Sequence, residues 1–159
     1  MKRIQAVLIG LLCSAAVHAQ EVNDANAEKR EAKNFHGISV SSAFDIYLTQ
    51  GSEEAVAVSA SETKFRDRIK VEVKDGILYV GYESEGPHWG RGNKKLKAYI
   101  SFRQIDKLSV SGACDVFTSG SIKAENLDIQ LSGASDVRYK GNGVIKDLKS
   151  SGSSSVSKG

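Results

Sequence analysis

Apolar and polar residues alternate along most of the chain from Phe35 onward. A period of two residues is typical of strands with one buried face. Asp75 and Gly76 separate two of these runs and predict a tight hairpin, because glycine accepts a positive φ. Only Glu62 to Arg68 fits a helical turn. The pattern therefore predicts an all-β fold. The predicted strands lie within Ile38–Val40, Phe44–Leu48, Ala55–Val58, Ile69–Val73, Ile77–Tyr82 and Leu96–Phe102.

A nine-residue pattern occurs four times and is the most informative feature of the sequence. Its centre is a Ser-Gly pair, which is Ser-Ser in the first copy, and it ends on Asp or Ser followed by Val or Ile. The first serines of the last three pairs are 21 and then 19 residues apart. The copies are Ile38–Ile46, Leu108–Val116, Ile129–Val137 and Leu148–Val156.

A repeat of about 20 residues predicts stacked units, because one unit cannot bury its own apolar face. We expect a right-handed β-helix or β-solenoid with about 20 residues per rung, together with an N-terminal hairpin region. Small turn residues would let neighbouring backbones lie about 4.8 Å apart, and glycine would supply a positive φ. The structural turn positions are Ser111, Gly112, Asp115, Ser132, Gly133, Asp136, Ser151 and Gly152.

Asp45, Asp115 and Asp136 share one repeat position, where the last copy has Ser155. Each carboxylate could accept hydrogen bonds from the N–H groups of its turn. Alternatively, the carboxylates could form a ladder that binds a cation or acts on a polysaccharide. Serine at the fourth position favours the hydrogen-bonding role. No other catalytic motif is present, so we predict no enzymatic activity, no cofactor and no metal site.

The segment 83–95 contains the single proline and the single tryptophan of the chain. It predicts a long loop, and long loops often carry function. His88 and Trp89 are therefore candidates for contact with a ligand or partner. The alternative is that Trp89 covers one end of a sheet. Cys114 is expected to be either a small packed residue or an incidental surface thiol, in both cases without a chemical role.

Residues 1–19 have the form of a secretory signal, because Lys2 and Arg3 precede an apolar stretch that ends at Ala19. The apolar run of about 13 residues is shorter than the roughly 20 needed to span a bilayer. We predict cleavage after Ala19 and no lipidation at Cys13, which has no small residue before it.

The remaining chain divides into two parts. Residues 20–34 are polar and predict a flexible leader, and residues 35–159 form the predicted domain. We expect an exported protein in the periplasm, at the cell surface or secreted, without a transmembrane helix once the signal is removed.

The composition fits one folded domain, since 40% of the 159 residues are hydrophobic and 26% are charged. The formal net charge of +3 falls to +1 when Lys2 and Arg3 leave with the signal. Nucleic acid is therefore not an expected partner. Two classes of partner stay open: a cell-envelope protein and a glycan.

Three segments resemble the head GIN domain family of auto-transporter adhesins. They are Phe44–Gly51, the hairpin Val73–Leu78 and the repeated Ser-Gly-Ala-x-Asp-Val pattern. The resemblance covers about residues 34–159. It implies an exported, repetitive β-structure without catalytic residues, acting as an adhesin-like or scaffold module of the cell envelope. A carbohydrate-binding or polysaccharide-acting envelope protein is the alternative.

Members of this family usually continue for several more repeats. The resemblance therefore implies a domain that is incomplete at its C-terminal end. An open end of a repeat stack exposes sheet edges and core, so we expect either truncation or end-to-end self-association there.

Overall fold

The computed structural model describes residues 23–84, 93–124, 126–139 and 145–158. The described residues form thirteen strands and one short helix. In chain order they are β1 (Glu28–Arg30), β2 (Gly37–Val40), β3 (Phe44–Gln50), β4 (Ala55–Ser59), α1 (Thr63–Arg66), β5 (Ile69–Lys74), β6 (Ile77–Tyr82), β7 (Leu96–Phe102), β8 (Lys107–Val110), β9 (Asp115–Ser119), β10 (Leu127–Leu131), β11 (Asp136–Tyr139), β12 (Ile145–Ser150) and β13 (Ser155–Lys158).

The strands form two sheets with one apolar core. Sheet A has seven strands in the order β1-β4-β7-β3-β9-β11-β13, and sheet B has six in the order β12-β10-β8-β2-β6-β5. Alternate side chains of both sheets join a single buried cluster, in which Ile46, Val116 and Ile129 have no exposed surface. The period-two alternation in the sequence is thus the signature of these inward positions.

Each copy of the repeat consists of a strand in sheet B, a turn and a strand in sheet A. We call β2–β3, β8–β9, β10–β11 and β12–β13 rungs 1 to 4. Neighbouring rungs pair in parallel in both sheets. Equivalent repeat positions are direct partners, as in Ile38 with Leu108 and Leu108 with Ile129. The rungs therefore lie in register.

Antiparallel strands flank the parallel rungs on the side of rung 1. β4 pairs antiparallel with both β7 and β1, and β5 pairs antiparallel with β6. The β5–β6 turn has a φ of 51° at Asp75 and 74° at Gly76, as its sequence predicts. The prediction of an all-β fold is confirmed. The finer prediction of a right-handed β-helix stays a prediction, because both sheets are mixed.

The fold begins earlier in the chain than the sequence predicts, since β1 lies within residues 20–34, the predicted flexible leader. Arg30 Nη1 is 2.6 Å from Glu28 Oε1, and Arg66 Nη2 is 2.9 Å from Glu28 Oε2. The flexible leader stays a prediction for the rest of the segment, whereas Glu28–Arg30 forms a strand. This strand carries no apolar stripe because its pairing rests on backbone hydrogen bonds to β4 and on these ion pairs.

Several sequence predictions lie outside the described residues. These are the signal sequence, residues 1–19, and the candidate contact residues His88 and Trp89. Within the described parts of the chain, no helix has the length and apolar character needed to cross a bilayer.

Candidate functional site

The Ser-Gly turns of the four rungs lie one above the next. In each of rungs 2 to 4, the residue after the glycine donates its N–H to the turn carbonyl of the preceding rung. Ala113 N is 3.2 Å from Ser42 O, and Ala134 N is 2.9 Å from Gly112 O. The structure thus brings the predicted turn positions together as one ladder. The serines Ser111, Ser132 and Ser151 likewise donate their N–H groups to Val40, Val110 and Leu131.

Glycine is required in this ladder for two separate reasons. Gly112, Gly133 and Gly152 have φ angles of 95°, 79° and 77°, which L-residues with a Cβ rarely adopt. A Cβ at Gly133 would also lie 2.4 Å from the carbonyl oxygen of Gly112. The pattern Ser-Gly is therefore what a close-stacked left-handed turn needs.

The repeated aspartates lie beside the turns and do not cap them. The turn N–H groups donate to carbonyls of the preceding rung, as Asp136 N does to Cys114 O at 3.0 Å. In rungs 2 to 4, these hydrogen bonds between turns have therefore taken the N–H donors that we expected the carboxylates to bind. Instead, Asp45, Asp115 and Asp136 are direct register partners on the outer face of sheet A. Ser155 continues this row and donates to Asp136 Oδ1 at 2.6 Å.

We call these residues the carboxylate row, with Lys97 as the register partner of Asp45 on its other side. Burial and the neighbouring charge of Asp115 raise the pKa of Asp45, while Lys97 acts in the opposite direction. Like charges directly opposite one another destabilise a sheet. The row therefore keeps unfavourable charge on one face of the protein.

Asp115→Asn is expected to raise the free energy of unfolding at pH 7 by about 0.5 kcal/mol. A carboxyl whose folded pKa lies above its unfolded value favours folding when protonated, and this contribution is lost as pH rises through the folded pKa. The gain should therefore disappear as the pH falls toward the usual Asp value of 3.8. Urea titrations at both pH values measure it. Lys97→Gln should have the opposite sign at pH 7, and equal signs would contradict the charge argument.

An aromatic row runs beside the carboxylate row on the same face. The rings of Tyr47 and Tyr99 stack with centroids 5.1 Å apart, and those of Tyr47 and Phe117 with centroids 5.4 Å apart. Arg138 Cζ lies 5.6 Å from the centroid of the Phe117 ring. The ring faces thus contact one another. Sequence reasoning assigned no row to these residues.

The N-terminal segment contacts one end of the aromatic row. Tyr99 donates its hydroxyl to Asp24 Oδ2 at 2.9 Å. Burial and this hydrogen bond raise the pKa of Tyr99. Burial would raise the pKa of Asp24, but hydrogen bonds from Ser59, Asn26 and Tyr99 outweigh it, so the pKa of Asp24 is lowered. The pair is therefore held as a neutral donor and an ionised acceptor.

Cys114 is buried, and it lies at a repeat position where rungs 2 to 4 each have a small side chain that donates a hydrogen bond. Its Sγ lies 3.0 Å from Ser42 O and 3.5 Å from Ser111 O. Ser135 and Ser154 occupy the same repeat position in rungs 3 and 4. Each hydroxyl donates to one carbonyl of the preceding turn and to one carbonyl of its own turn. Burial raises the pKa of the Cys114 thiol, which disfavours the reactive thiolate. The geometry assigns this thiol a structural role.

Cys114 is expected to resist alkylation by iodoacetamide in the native protein and to react only after unfolding. Mass-spectrometric mapping of the labelled peptide measures this directly. Cys114→Ser should change the free energy of unfolding by less than about 1 kcal/mol, because a serine hydroxyl fits the same site in rungs 3 and 4. Cys114→Val should cost about 1–3 kcal/mol through overpacking and two lost contacts. Rapid labelling of native Cys114 would contradict a buried role.

Gln50 joins the two connections that flank the end of β3. Its Nε2 donates to Arg103 O at 2.9 Å and to Lys123 O at 3.0 Å, and its Oε1 accepts from Lys123 N at 2.6 Å. The glutamine before Gly51 thus fixes three backbone groups. The only sequence signal for this role is that Gln50 lies in the Phe-Asp-Ile-x-Leu-x-Gln-Gly segment, Phe44–Gly51.

No catalytic arrangement emerges among the described residues. His36 Nδ1 is 2.9 Å from Asp106 Oδ1, but both side chains are more than half exposed. The other ring edge of His36 lies beside Gly76. No group of three His, Cys, Asp or Glu residues in the described ranges is arranged to hold a metal ion.

Stacked rungs of this kind define an all-β repeat domain. The chain belongs to the family described as "Putative auto-transporter adhesin, head GIN domain", whose model matches residues 34–159. The search of curated proteins found no match.

Solved structures share the fold. A "putative adhesin" from Bacteroides fragilis is 23% identical, with a TM-score of 0.74 over 82% of this chain and 60% of that chain. A "putative adhesin" from Parabacteroides distasonis is 14% identical, with a TM-score of 0.58 over 84% of this chain and 64% of that chain. A "putative lipid binding protein" from the same species is 18% identical, with a TM-score of 0.53 over 85% and 63%. This chain spans less than two thirds of each, and these identities establish the fold alone.

Proposed function

We propose that this protein is an exported, non-enzymatic β-solenoid module that acts as an adhesin or scaffold in the cell envelope. Its family is described as an adhesin family, and the signal-like residues 1–19 favour export. The in-register pairing of four rungs favours a rigid rod over a flexible linker. The outer face of sheet A is the surface that the module would present.

One observation carries this proposal, namely that equivalent repeat positions form continuous rows on that face. The carboxylate row and the aromatic row follow the stacking direction with one side chain per strand. Adjacent strands are spaced by about 4.8 Å, so the rows repeat at a fixed interval. Such a surface can contact an extended or repetitive partner at several equivalent points, which raises avidity without strong single contacts.

Export is tested by cell fractionation combined with protease treatment of intact cells. We expect the mature protein, beginning at Gln20, in the periplasmic or outer envelope fraction. Cleavage by external protease would assign it to the cell surface, and protection would assign it to the periplasm. An unprocessed protein in the cytoplasm would contradict the proposal.

The proposed face is tested by pull-down from envelope extracts. Asp115→Asn with Asp136→Asn removes charge from the carboxylate row and leaves the turns unchanged. Glu72→Gln, at an exposed position of β5 at the edge of sheet B, is the control for the loss of a carboxylate elsewhere. We expect the double variant to lose partners that both the wild type and Glu72→Gln retain. Identical capture by all three proteins would contradict a role for this face.

Carbohydrate binding is the second candidate, and the gathering of Tyr47, Tyr99 and Phe117 on one face favours it. Because these ring faces contact one another, a sugar would meet ring edges, the Tyr47 hydroxyl and the carboxylates. A glycan array with Tyr47→Phe, and with Tyr79→Phe on the other sheet as control, tests this site. Trp89→Ala tests the loop separately. Absence of binding by the wild type would rule out the glycans on the array.

A further inference from the structure

A cleft of about 730 Å³ lies at the first turn of the rung stack. Ser42 and Ala43 line it from the turn of rung 1, and Lys94, Lys95 and Lys97 line it from the chain entering β7. Among the described lining residues none belongs to the aromatic row, but Asp45 of the carboxylate row borders the cleft. Lys94 and Lys95 belong to the predicted loop 83–95, whereas the contact residues predicted in that loop, His88 and Trp89, lie outside the described residues.

The geometry of the other rungs shows which groups of rung 1 point into this cleft. The N–H of Ala113 points toward the preceding rung, where it donates to Ser42 O. A Cβ on Gly112 would point the same way, since it would meet the same carbonyl. Ser42 has a φ of 84°, close to the 79° of Gly133. Rung 1 therefore directs the N–H of Ala43 and the side chain of Ser42 toward the lysine-bearing segment.

This arrangement also explains why a serine replaces glycine in the first copy. In rungs 2 to 4 the Cβ direction is filled by a carbonyl of the preceding turn. In rung 1 the same direction opens on the cleft, so a hydroxymethyl group fits there. The left-handed turn forms a hydrogen-bonded ladder in rungs 2 to 4, and in rung 1 it directs the corresponding groups into the cleft.

The donors and charges of the cleft are those that an oxyanion requires. A backbone N–H and a serine hydroxyl are typical phosphate ligands, and lysines supply point charges. Lys94 Nζ is placed over the Tyr82 ring at 4.8 Å from its centroid, which restrains this lysine at the rim. Among the lining residues that the structure describes, three lysines and one carboxylate, that of Asp45, give a net positive charge.

We propose that this cleft binds a tetrahedral oxyanion, a phosphate or sulfate group, through Ser42, the Ala43 N–H and Lys94 and Lys95. Asp45 and Lys97 belong both to the cleft lining and to the carboxylate row, but the proposed contacts with the anion use neither side chain. The group could be a free ion, part of a small molecule or a lipid headgroup, and all three share this chemistry.

Titration of the ¹⁵N-labelled protein with inorganic phosphate and with sulfate tests the proposal. The amide signals of Ser42 and Ala43 should shift in a saturable manner. Ala134, which holds the same repeat position but donates to Gly112 O, is the internal control and should not shift. Equal shifts at Ala43 and Ala134, or none at Ala43, would overturn the proposal.

Charge variants separate this site from general attraction of anions. Lys94→Gln with Lys95→Gln should weaken phosphate binding about tenfold. Lys74→Gln, at an exposed position of β5 in sheet B, should leave phosphate binding unchanged. Asp45→Asn should strengthen binding about two- to threefold, because it removes the nearest negative charge. The same affinity in the double lysine variant and Lys74→Gln, or weaker binding by Asp45→Asn, would contradict the site.

Co-sedimentation with vesicles identifies the source of the anion. Phosphatidylglycerol vesicles are compared with phosphatidylcholine vesicles, which carry no net charge. Binding to phosphatidylglycerol that is lost in the double lysine variant would assign a lipid headgroup. Phosphate binding without vesicle binding would assign a soluble ligand. Vesicle binding that survives in the double variant, without any phosphate response at Ala43, would overturn the proposal.

Discussion

Gly133→Ala is expected to lower the free energy of unfolding by about 3 kcal/mol. The left-handed backbone, with a φ of 79°, costs an L-residue about 1–2 kcal/mol. The new Cβ would lie 2.4 Å from Gly112 O, so rungs 2 and 3 must separate, and overpacking of this kind costs about 1–3 kcal/mol. Urea denaturation followed by circular dichroism measures the loss.

Gly120→Ala is the matched control for Gly133→Ala. Gly120 has nearly the same φ of 75°, but a Cβ there would meet no atom within 4 Å. Its cost should therefore be the backbone cost alone, about 1 kcal/mol. The difference between the variants isolates the close approach of the turns. Equal losses would contradict the carbonyl contact as the reason for glycine in this turn.

Gln50→Ala should lower the free energy of unfolding by about 2 kcal/mol. It removes three hydrogen bonds and leaves the carbonyls of Arg103 and Lys123 and the Lys123 N–H without this partner. A hydrogen bond contributes about 0.5–1.5 kcal/mol, and these groups are partly reachable by water, which limits the loss. Chemical denaturation again provides the measurement.

Two further variants show whether the contacts of Gln50 or its bulk matter. Gln104→Ala, at an exposed position of the same end of the fold, should change stability by less than about 0.5 kcal/mol. Gln50→Glu keeps the size but replaces the amide donor with a charged acceptor facing two carbonyls, so it should be at least as damaging as Gln50→Ala. A stable Gln50→Glu protein would contradict the hydrogen-bonding role.

The sequence predicts those parts of the fold that depend on local chemistry. Alternation along Phe44–Leu48 gives the strands, and Asp75-Gly76 gives the hairpin. The repeat predicts that Gly112, Gly133 and Gly152 are equivalent, because each glycine adopts the positive φ of the same tight turn. These features need no knowledge of distant partners.

Other features depend on partners far along the chain and leave little trace in the sequence. Rung 1 pairs with rung 2 across an insertion that contains β4 to β7, so spacing alone does not reveal this neighbour. β1 is polar because an ion-paired edge strand needs no apolar stripe. The partners of Gln50 are 53 and 73 residues away.

The candidate site was only partly accessible to sequence reasoning for the same reason. The common repeat position of Asp45, Asp115 and Asp136 predicted a ladder. Capping of the turns by Asp115 and Asp136 was also expected, but the N–H groups of those turns donate to carbonyls of the preceding rung. The Tyr47, Tyr99 and Phe117 row requires the register of three strands that are not consecutive in sequence.

The central claim is that equivalent turns donate hydrogen bonds from rung to rung, and NMR couplings across hydrogen bonds test it most directly. A long-range HNCO experiment should connect the amide nitrogens of Ala113, Ala134 and Ser153 with the carbonyl carbons of Ser42, Gly112 and Gly133. All three connections, with slow amide exchange at Ala113 and Ala134, are the result we predict. Correlations of these amides with other carbonyls, or rapid exchange at all three, would contradict the stacked-rung structure.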